Sequence, residues 1–295
     1  MMIFRNRSVW LFGILVLMVA GPVADGFGQR RITDRVDPIQ ALDREKGHAF
    51  LDEFRRMGLQ GDYGFEFELR TMPRRGEERR FDGRMWGSRN RQGPVTLFEI
   101  RERERPENRL RLLVQNGTNP AVWMAEPVED GGYEVKSLGV EDWFSPLMGT
   151  DYTPFDLQMP FVFWEDFDYE GVFRVRGRPC HVFRMNPPEA FRTEHGHLSS
   201  VQIYLDAEFK ALFRAESLDD AGDPERVFSV IDFKKVQDEW IVKTIDLRDE
   251  RARDKTRFQV TRAAMNVRLP VTAFDPVNLG DDLPSLARDE FSRVN

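Results

Sequence analysis

From Tyr63 to Arg70 the chain alternates without a break: Tyr63, Phe65, Phe67 and Leu69 are large and apolar, and Gly64, Glu66, Glu68 and Arg70 fall between them. Only an extended strand sends every second side chain to the same face, so this run predicts a strand with one aromatic face and one wet face. The same period returns from Phe81 to Trp86, Leu110 to Val114, Val201 to Leu205, Phe209 to Ala215, Trp240 to Leu247 and Thr256 to Val260. Turn-forming residues separate these runs, as in Asn90 to Pro94, Asn116 to Pro120, Asp219 to Pro224 and Gln237 to Glu239. A parallel crossover needs about a dozen residues or more, so neighbours this close pair antiparallel. The expected fold class is mainly β (α+β): a curved antiparallel meander that curls into a barrel or a deep half-barrel.

Two stretches depart from the period. Between Val36 and Met57 the positions Ile39, Leu42, His48, Ala49, Leu51, Phe54 and Met57 fall near helical spacing, which predicts an amphipathic helix. Asp37 and Pro38 supply a cap and a first-turn proline, and Gly58 a stop. Between Glu126 and Asp168 prolines 127, 146, 154 and 160 interrupt a run rich in aromatics: Tyr133, Trp143, Phe144, Tyr152, Phe155, Phe161, Phe163, Trp164 and Phe167. Such a run is seldom a solvated loop. It forms a lid over the barrel mouth, plugs one end, or simply packs on the core.

Arg5 and Arg7 precede an apolar run from Val9 to Ala20 that is followed by Gly21, Pro22 and small residues, the build of a signal peptide. The run is shorter than the roughly 20 residues that span a bilayer, so residues 1–28 are expected to be cleaved, with Ala24, Gly26 and Gly28 all acceptable at the cut. The expected product is an exported domain spanning 29–295. No cysteine follows the apolar run to accept an acyl chain, and Cys180, the only cysteine, cannot form an internal disulfide. The formal net charge is -7; a cut after Ala24 removes Arg5 and Arg7 and spares Asp25, which brings it to -7 - 2 = -9, and a cut after Gly28 brings it to -9 + 1 = -8. Nucleic acid and anionic lipid surfaces are poor partners for such a chain.

Candidate chemistry is sparse. Glu194, His195 and His197 bring two imidazoles together, but a metal site would need further ligands from elsewhere, and a hairpin loop is the favoured reading. Cys180 and His181 are adjacent, which in a strand aims them at opposite faces and denies the pair nucleophile–base contact. The acids Glu165, Asp166, Asp168 and Glu170 lack the Asp-x-Asp-x-Asp-Gly spacing of a calcium loop. There is no Gly-x-Ser-x-Gly elbow, phosphate-cradling glycine loop or His-Glu-x-x-His. No catalytic residue, cofactor or metal is expected, and the chain is not read as an enzyme.

What remains is bulky apolar surface concentrated on one sheet face. Aromatics make 12% of a chain that is only 41% hydrophobic, so few, large side chains carry that face. They either fill a closed core or leave an apolar cavity. For a cavity the expected lining is Phe65, Phe67, Leu69, Met85, Leu112, Val114, Ile203, Leu205, Phe213 and Trp240, under a lid made by Trp143, Phe144, Phe161 and Trp164.

Several segments of the second half resemble the outer-membrane lipoprotein-sorting family, the LolA-like periplasmic carriers. Met-Gly-Thr-Asp-Tyr-Thr-Pro-Phe-Asp-Leu at 148–157 is similar to that family's Gly-Ser-Asp-Phe-Ser-Tyr-Glu-Asp-Leu, with Trp-Glu-Asp-Phe-Asp-Tyr following at 164–169. Val-Arg-Gly-Arg-Pro-Cys-His-Val-Phe at 175–183 resembles the next strand. Val-Gln-Ile-Tyr-Leu-Asp at 201–206 with Leu-Phe-Arg-Ala-Glu at 212–216 resembles the family hairpin. Lys-Thr-Arg-Phe at 255–258 and Leu-Pro-Val-Thr-Ala-Phe-Asp-Pro-Val-Asn-Leu at 269–279 resemble the closing strand and the C-terminal Phe-Thr-Pro-x-x-Leu. The chain departs at Thr150, where serine is common, and at Pro154–Phe155, which replace Tyr-Glu. Residues 36–126 agree only in pattern, so the arginine that latches the lid of the best-known carriers has no assigned counterpart.

The resemblance implies an incomplete antiparallel barrel with helices across its opening, which shelters acyl chains between two membranes. The function expected on that basis is a monomeric periplasmic carrier or chaperone of lipoprotein or another acylated or lipid cargo. An inner-membrane release complex and an outer-membrane acceptor would be its partners. The alternative is an envelope sensor or interaction module on the same fold.

Overall fold

A computed structural model of the chain describes residues 39–59, 61–117, 119–129, 131–189, 191 and 198–294. The signal segment, the Asp37–Pro38 cap and the Glu194, His195, His197 group lie outside the described residues. The described residues open with helix α1 (Arg44–Arg56) and continue into β1 (Asp62–Met72), β2 (Arg80–Asn90), β3 (Gly93–Glu102), β4 (Arg109–Gln115), β5 (Ala121–Pro127) and β6 (Tyr133–Leu138). A connecting segment, residues 139–166, holds two 3-10 turns and the short helix α2 (Pro154–Gln158). Then follow β7 (Phe167–Val175), β8 (Arg178–Met185), β9 (Ser200–Asp206), β10 (Leu212–Leu218), β11 (Pro224–Val236), β12 (Glu239–Asp249) and β13 (Lys255–Val267), with the two-residue β14 (Ser292–Arg293) near the C-terminus.

All strands pair antiparallel in one curved sheet, in the order β6-β5-β4-β3-β2-β1-β13-β12-β11-β10-β9-β8-β7, with β14 added to β13. Because β1 pairs with β13, the two ends of the meander meet mid-sheet, while β6 and β7 remain as its edges. The expected incomplete antiparallel barrel is therefore present. Its inner face carries Phe65, Phe67, Met85, Phe98, Ile203 and Phe258 in one continuous core, onto which α1 and the connecting segment pack. Phe67 and Phe258 stack at 4.5 Å across β1 and β13.

Two glycines make room for this aromatic layer. Gly83 and Gly87 stand directly opposite Phe67 and Tyr63 in the β1–β2 register. A Cβ at either position would run into the opposing ring, so the aromatic plates cover the bare glycine backbone.

Two expectations are corrected. Helix α1 starts at Arg44, not near Asp37: its cap is Asp43, whose carboxylate accepts the Lys46 amide at 2.8 Å. Ile39 and Leu42 lie ahead of the helix. The second correction concerns the wet face. In β2 and β4 the outer face is covered, because residues 269–286 cross it and bury Trp86, Leu97, Leu113 and Leu279 in a second core. Arg111 secures this strap, donating to the Leu279 and Asp281 carbonyls at 3.1 and 2.5 Å beneath the Tyr133 ring. The double cover also explains why β3 shows no clear alternation: it is buried on both faces and reads as a nearly continuous apolar run.

Candidate functional site

The half-barrel is closed across its inner face by residues 139–166 rather than by a strand. Trp143, Phe155, Phe161 and Trp164 are all under 7% exposed and join the inner core, with Phe144 half-buried beside them. Phe155 is the hub: it stacks on Phe144 at 4.7 Å and lies against Phe161 at 5.8 Å and Phe191 at 6.2 Å. Thr153-Pro154-x-Asp156 folds α2 locally. Asp156 Oδ2 accepts the Thr153 amide at 2.8 Å, and Thr153 Oγ1 accepts the Asp156 amide at 3.3 Å, a reciprocal cap with proline at the first helical position.

The segment's underside is apolar, and its ties to the rest of the fold are few and polar. Arg55, near the end of α1, donates from Nε to the Val162 carbonyl and from Nη2 to the Trp164 carbonyl, each at 2.7 Å, while Nη1 meets Asp52. On the opposite side Arg226 of β11 donates from Nη2 to Asp156 Oδ2 at 2.6 Å and to the Asp151 carbonyl. Burial alone would lower the Arg226 pKa, but Asp156 outweighs it and the guanidinium is held above its ordinary value. Asp151 Oδ2 accepts a hydrogen bond from Thr256 Oγ1 at 2.6 Å, and burial raises its pKa. Gln158 Nε2 reaches the Gln115 carbonyl of β4 at 3.1 Å, and Arg79 Nη1 the Met148 carbonyl at 3.0 Å. Among the described residues the Tyr152 hydroxyl and Gln158 Oε1 are buried without a hydrogen-bond partner, which burdens the closed arrangement.

Between α2 and strands β10 and β11 the packing leaves little space. The void bounded by Asp156, Met159, Phe161, Ala215, Arg226 and Phe228 measures only about 10 Å³. A far larger groove, about 1010 Å³, lies on the other side of the segment, where Phe163, Trp164 and Phe191 meet Arg55, Arg56 and Arg89.

A family model described as "Uncharacterized protein" matches residues 132–281, about half of the chain. The fold matches a putative outer membrane lipoprotein-sorting protein domain from Vibrio parahaemolyticus with a TM-score of 0.68 at 15% identity, over 81% of this chain and 100% of that one. The chain belongs to the family of that model, and its fold is LolA-like. Two further LolA-like matches are a DUF1329 family protein from Desulfovibrio piger (TM-score 0.66, 16% identity, 80% of this chain and 98% of that one) and a LolA superfamily protein from Nitrosomonas europaea (TM-score 0.56, 14% identity, 80% and 98%). No curated protein sequence matches it.

Within the LolA-like half-barrel the residues singled out from sequence gather in one place. Phe65, Phe67, Leu69, Met85, Leu112, Val114, Ile203, Leu205 and Phe213 are all buried in the inner core, and Trp240 packs against it half-buried. Trp164 alone of these and the lid candidates also borders the large groove. The remaining candidates have ordinary partners. Cys180 is buried and its thiol pKa is pushed well up by burial, while His181 Nδ1 lies 2.8 Å from the Tyr169 hydroxyl. Asp166 and Asp168 accept from Asn186, and Glu170 pairs with Arg184. No group of three metal-ligating side chains occurs among the described residues. Sequence reading missed Arg55, Arg226 and Asp156. The Thr153-Pro154-x-Asp156 cap was visible as a helix start, but nothing local marks either arginine.

Proposed function

We propose that this chain is a periplasmic carrier, one unit from about residue 29 to its C-terminus, that binds acyl chains of a lipoprotein or another lipid against the inner face of its half-barrel. The observation that carries this reading is the mode of closure. An aromatic segment tied down by a handful of polar contacts, and no strand, separates Phe65, Phe67, Met85 and Ile203 from solvent. Lifting residues 139–166 exchanges one apolar cover for another, since cargo chains replace Phe155, Phe161 and Trp164 against the sheet. Each CH₂ hidden from water contributes about 0.8 kcal/mol, which favours an occupied interior over an exposed one. The groove beside Trp164, whose walls carry Arg56 and Arg89 as well as Asp52, Glu165, Asp166 and Glu189, takes the polar part of the cargo. The LolA-like relationship supports exchange with an inner-membrane donor and an outer-membrane acceptor, and bond-making chemistry has no part in it.

The test is native mass spectrometry of the mature protein from a periplasmic extract, with organic extraction of co-purifying material, followed by uptake of a fluorescent fatty acid. Bound lipid or acylated peptide, and faster uptake by Arg55→Ala, are the expected results. A clean apo mass together with no uptake by either protein would mean that the aromatics only fill a closed core.

A further inference from the structure

The sheet ends in two edges, and they are finished differently. Edge strand β7 is broken by a bulge between Tyr169 and Gly171, a common way of preventing another strand from adding. Edge strand β6 has no such device. It pairs with β5 in unbroken register from Val122↔Leu138 to Pro127↔Tyr133, and Glu134, Val135, Lys136 and Ser137 are exposed. Among the described residues no strand covers its outer side.

Two exposed apolar side chains lie at the same edge. The large hydrophobics most open to solvent among the described residues are Val128, Val135, Val271 and Val277. Val128 and Val135 belong to the β5–β6 hairpin. Val271 and Val277, 85% and 84% exposed, sit on the strap, whose Val271–Phe274 turn packs against β3 and whose Gly280 lies against Tyr133 and Val135. They are displayed rigidly, because Asp275 Oδ1 accepts the Val277 amide at 3.0 Å and Asn278 Nδ2 donates to the Thr272 carbonyl at 2.9 Å. Val128 and Val135, exposed on a regular edge, mark a contact surface.

The charges identify what fits it, Lys136 being shared with Glu126 of β5 at 2.9 Å in an exposed pair that holds it only weakly. In an antiparallel pair the residues run in opposite directions, so a two-fold axis through Val135 sets Glu134 opposite Lys136 of a second copy and Lys136 opposite Glu134 of that copy. Val135 faces its own equivalent at the axis. The sequence Glu134-Val135-Lys136 is thus complementary to itself, as an isologous interface requires. We propose that a second copy of this chain adds to the β6 edge in this register, forming a symmetric dimer with one continuous sheet. This departs from the monomer expected from sequence and is independent of what the interior binds. One short edge and a few valines bury less than a standard interface, so the dimer is weak and forms at high concentration.

A rival account makes Glu134 and Lys136 gatekeepers that keep the edge unpaired, in which case reversing either charge leaves a monomer a monomer. Sedimentation velocity of the mature chain from micromolar to millimolar concentration separates the two. Expected is a concentration-dependent dimer that is lost in Glu134→Lys and in Lys136→Glu, where like charges face each other, and regained in the double variant. Circular dichroism confirms the fold of each. A monomer at every concentration, a dimer indifferent to the single reversals, or a double variant that stays monomeric would overturn the proposal.

Discussion

Arg226 and Asp156 form an ion pair, Nη2 to Oδ2 at 2.6 Å, that fastens the covering segment to strand β11. Asp156 also caps α2 through Thr153. Removing it strips the cap, worth about 1 kcal/mol, and leaves a largely buried guanidinium without its counter-ion, so Asp156→Ala should cost about 3–4 kcal/mol in all. Thermal unfolding should show a fall of roughly 10 °C, with a smaller fall for Asp156→Asn. An unchanged midpoint would mean that the pair contributes nothing net.

Arg55 should govern local opening rather than global stability. Its two bonds to backbone carbonyls leave the rest of α1 untouched, and each charge-assisted bond is worth about 1.5–3 kcal/mol. In Arg55→Ala, hydrogen exchange is expected to speed up in residues 160–164 while the β1 and β13 amides keep their protection. Uniform acceleration across the sheet would contradict a role confined to the segment.

Gly83→Ala offers a test with a sign opposite to intrinsic preference. Alanine ordinarily suits a strand better than glycine, yet here the added methyl meets the Phe67 ring, which is already stacked on Phe258. A loss of about 1–3 kcal/mol in denaturant titration is expected. A gain would show that the ring shifts freely.

Acid should weaken the fold through Glu102. Hydrogen bonds from Arg79, Arg105 and Asn108 hold this buried carboxylate at a pKa of about 2, against an ordinary 4.5. A depressed pKa stabilises the folded state fully above 4.5 and progressively less as pH falls from there toward 2, for a total of about 3 kcal/mol. Denaturant midpoints of the parent and Glu102→Gln should differ at pH 7 and converge near pH 2. A gap that does not narrow with acid would assign the stabilisation elsewhere.

What the sequence determined by itself was local. The two-residue period of Tyr63 to Arg70, the turn clusters and the helical spacing around Leu51 and Phe54 act within a few residues, where backbone sterics and side-chain direction leave little choice. Strands β1, β2, β4, β9, β10, β12 and β13 were accordingly legible, and the core residues with them. Only the tertiary structure decided which faces stay wet. The strap from Leu269 to Leu286 turns the outer face of β2 and β4 into a second core, and no pattern within those strands announces a cover that comes from more than 150 residues away. The fastening of the covering segment was likewise invisible. Arg55 meets Val162 across 107 residues and Arg226 meets Asp156 across 70, and an arginine far from its partner reads as one more solvated charge until the fold removes the water between them.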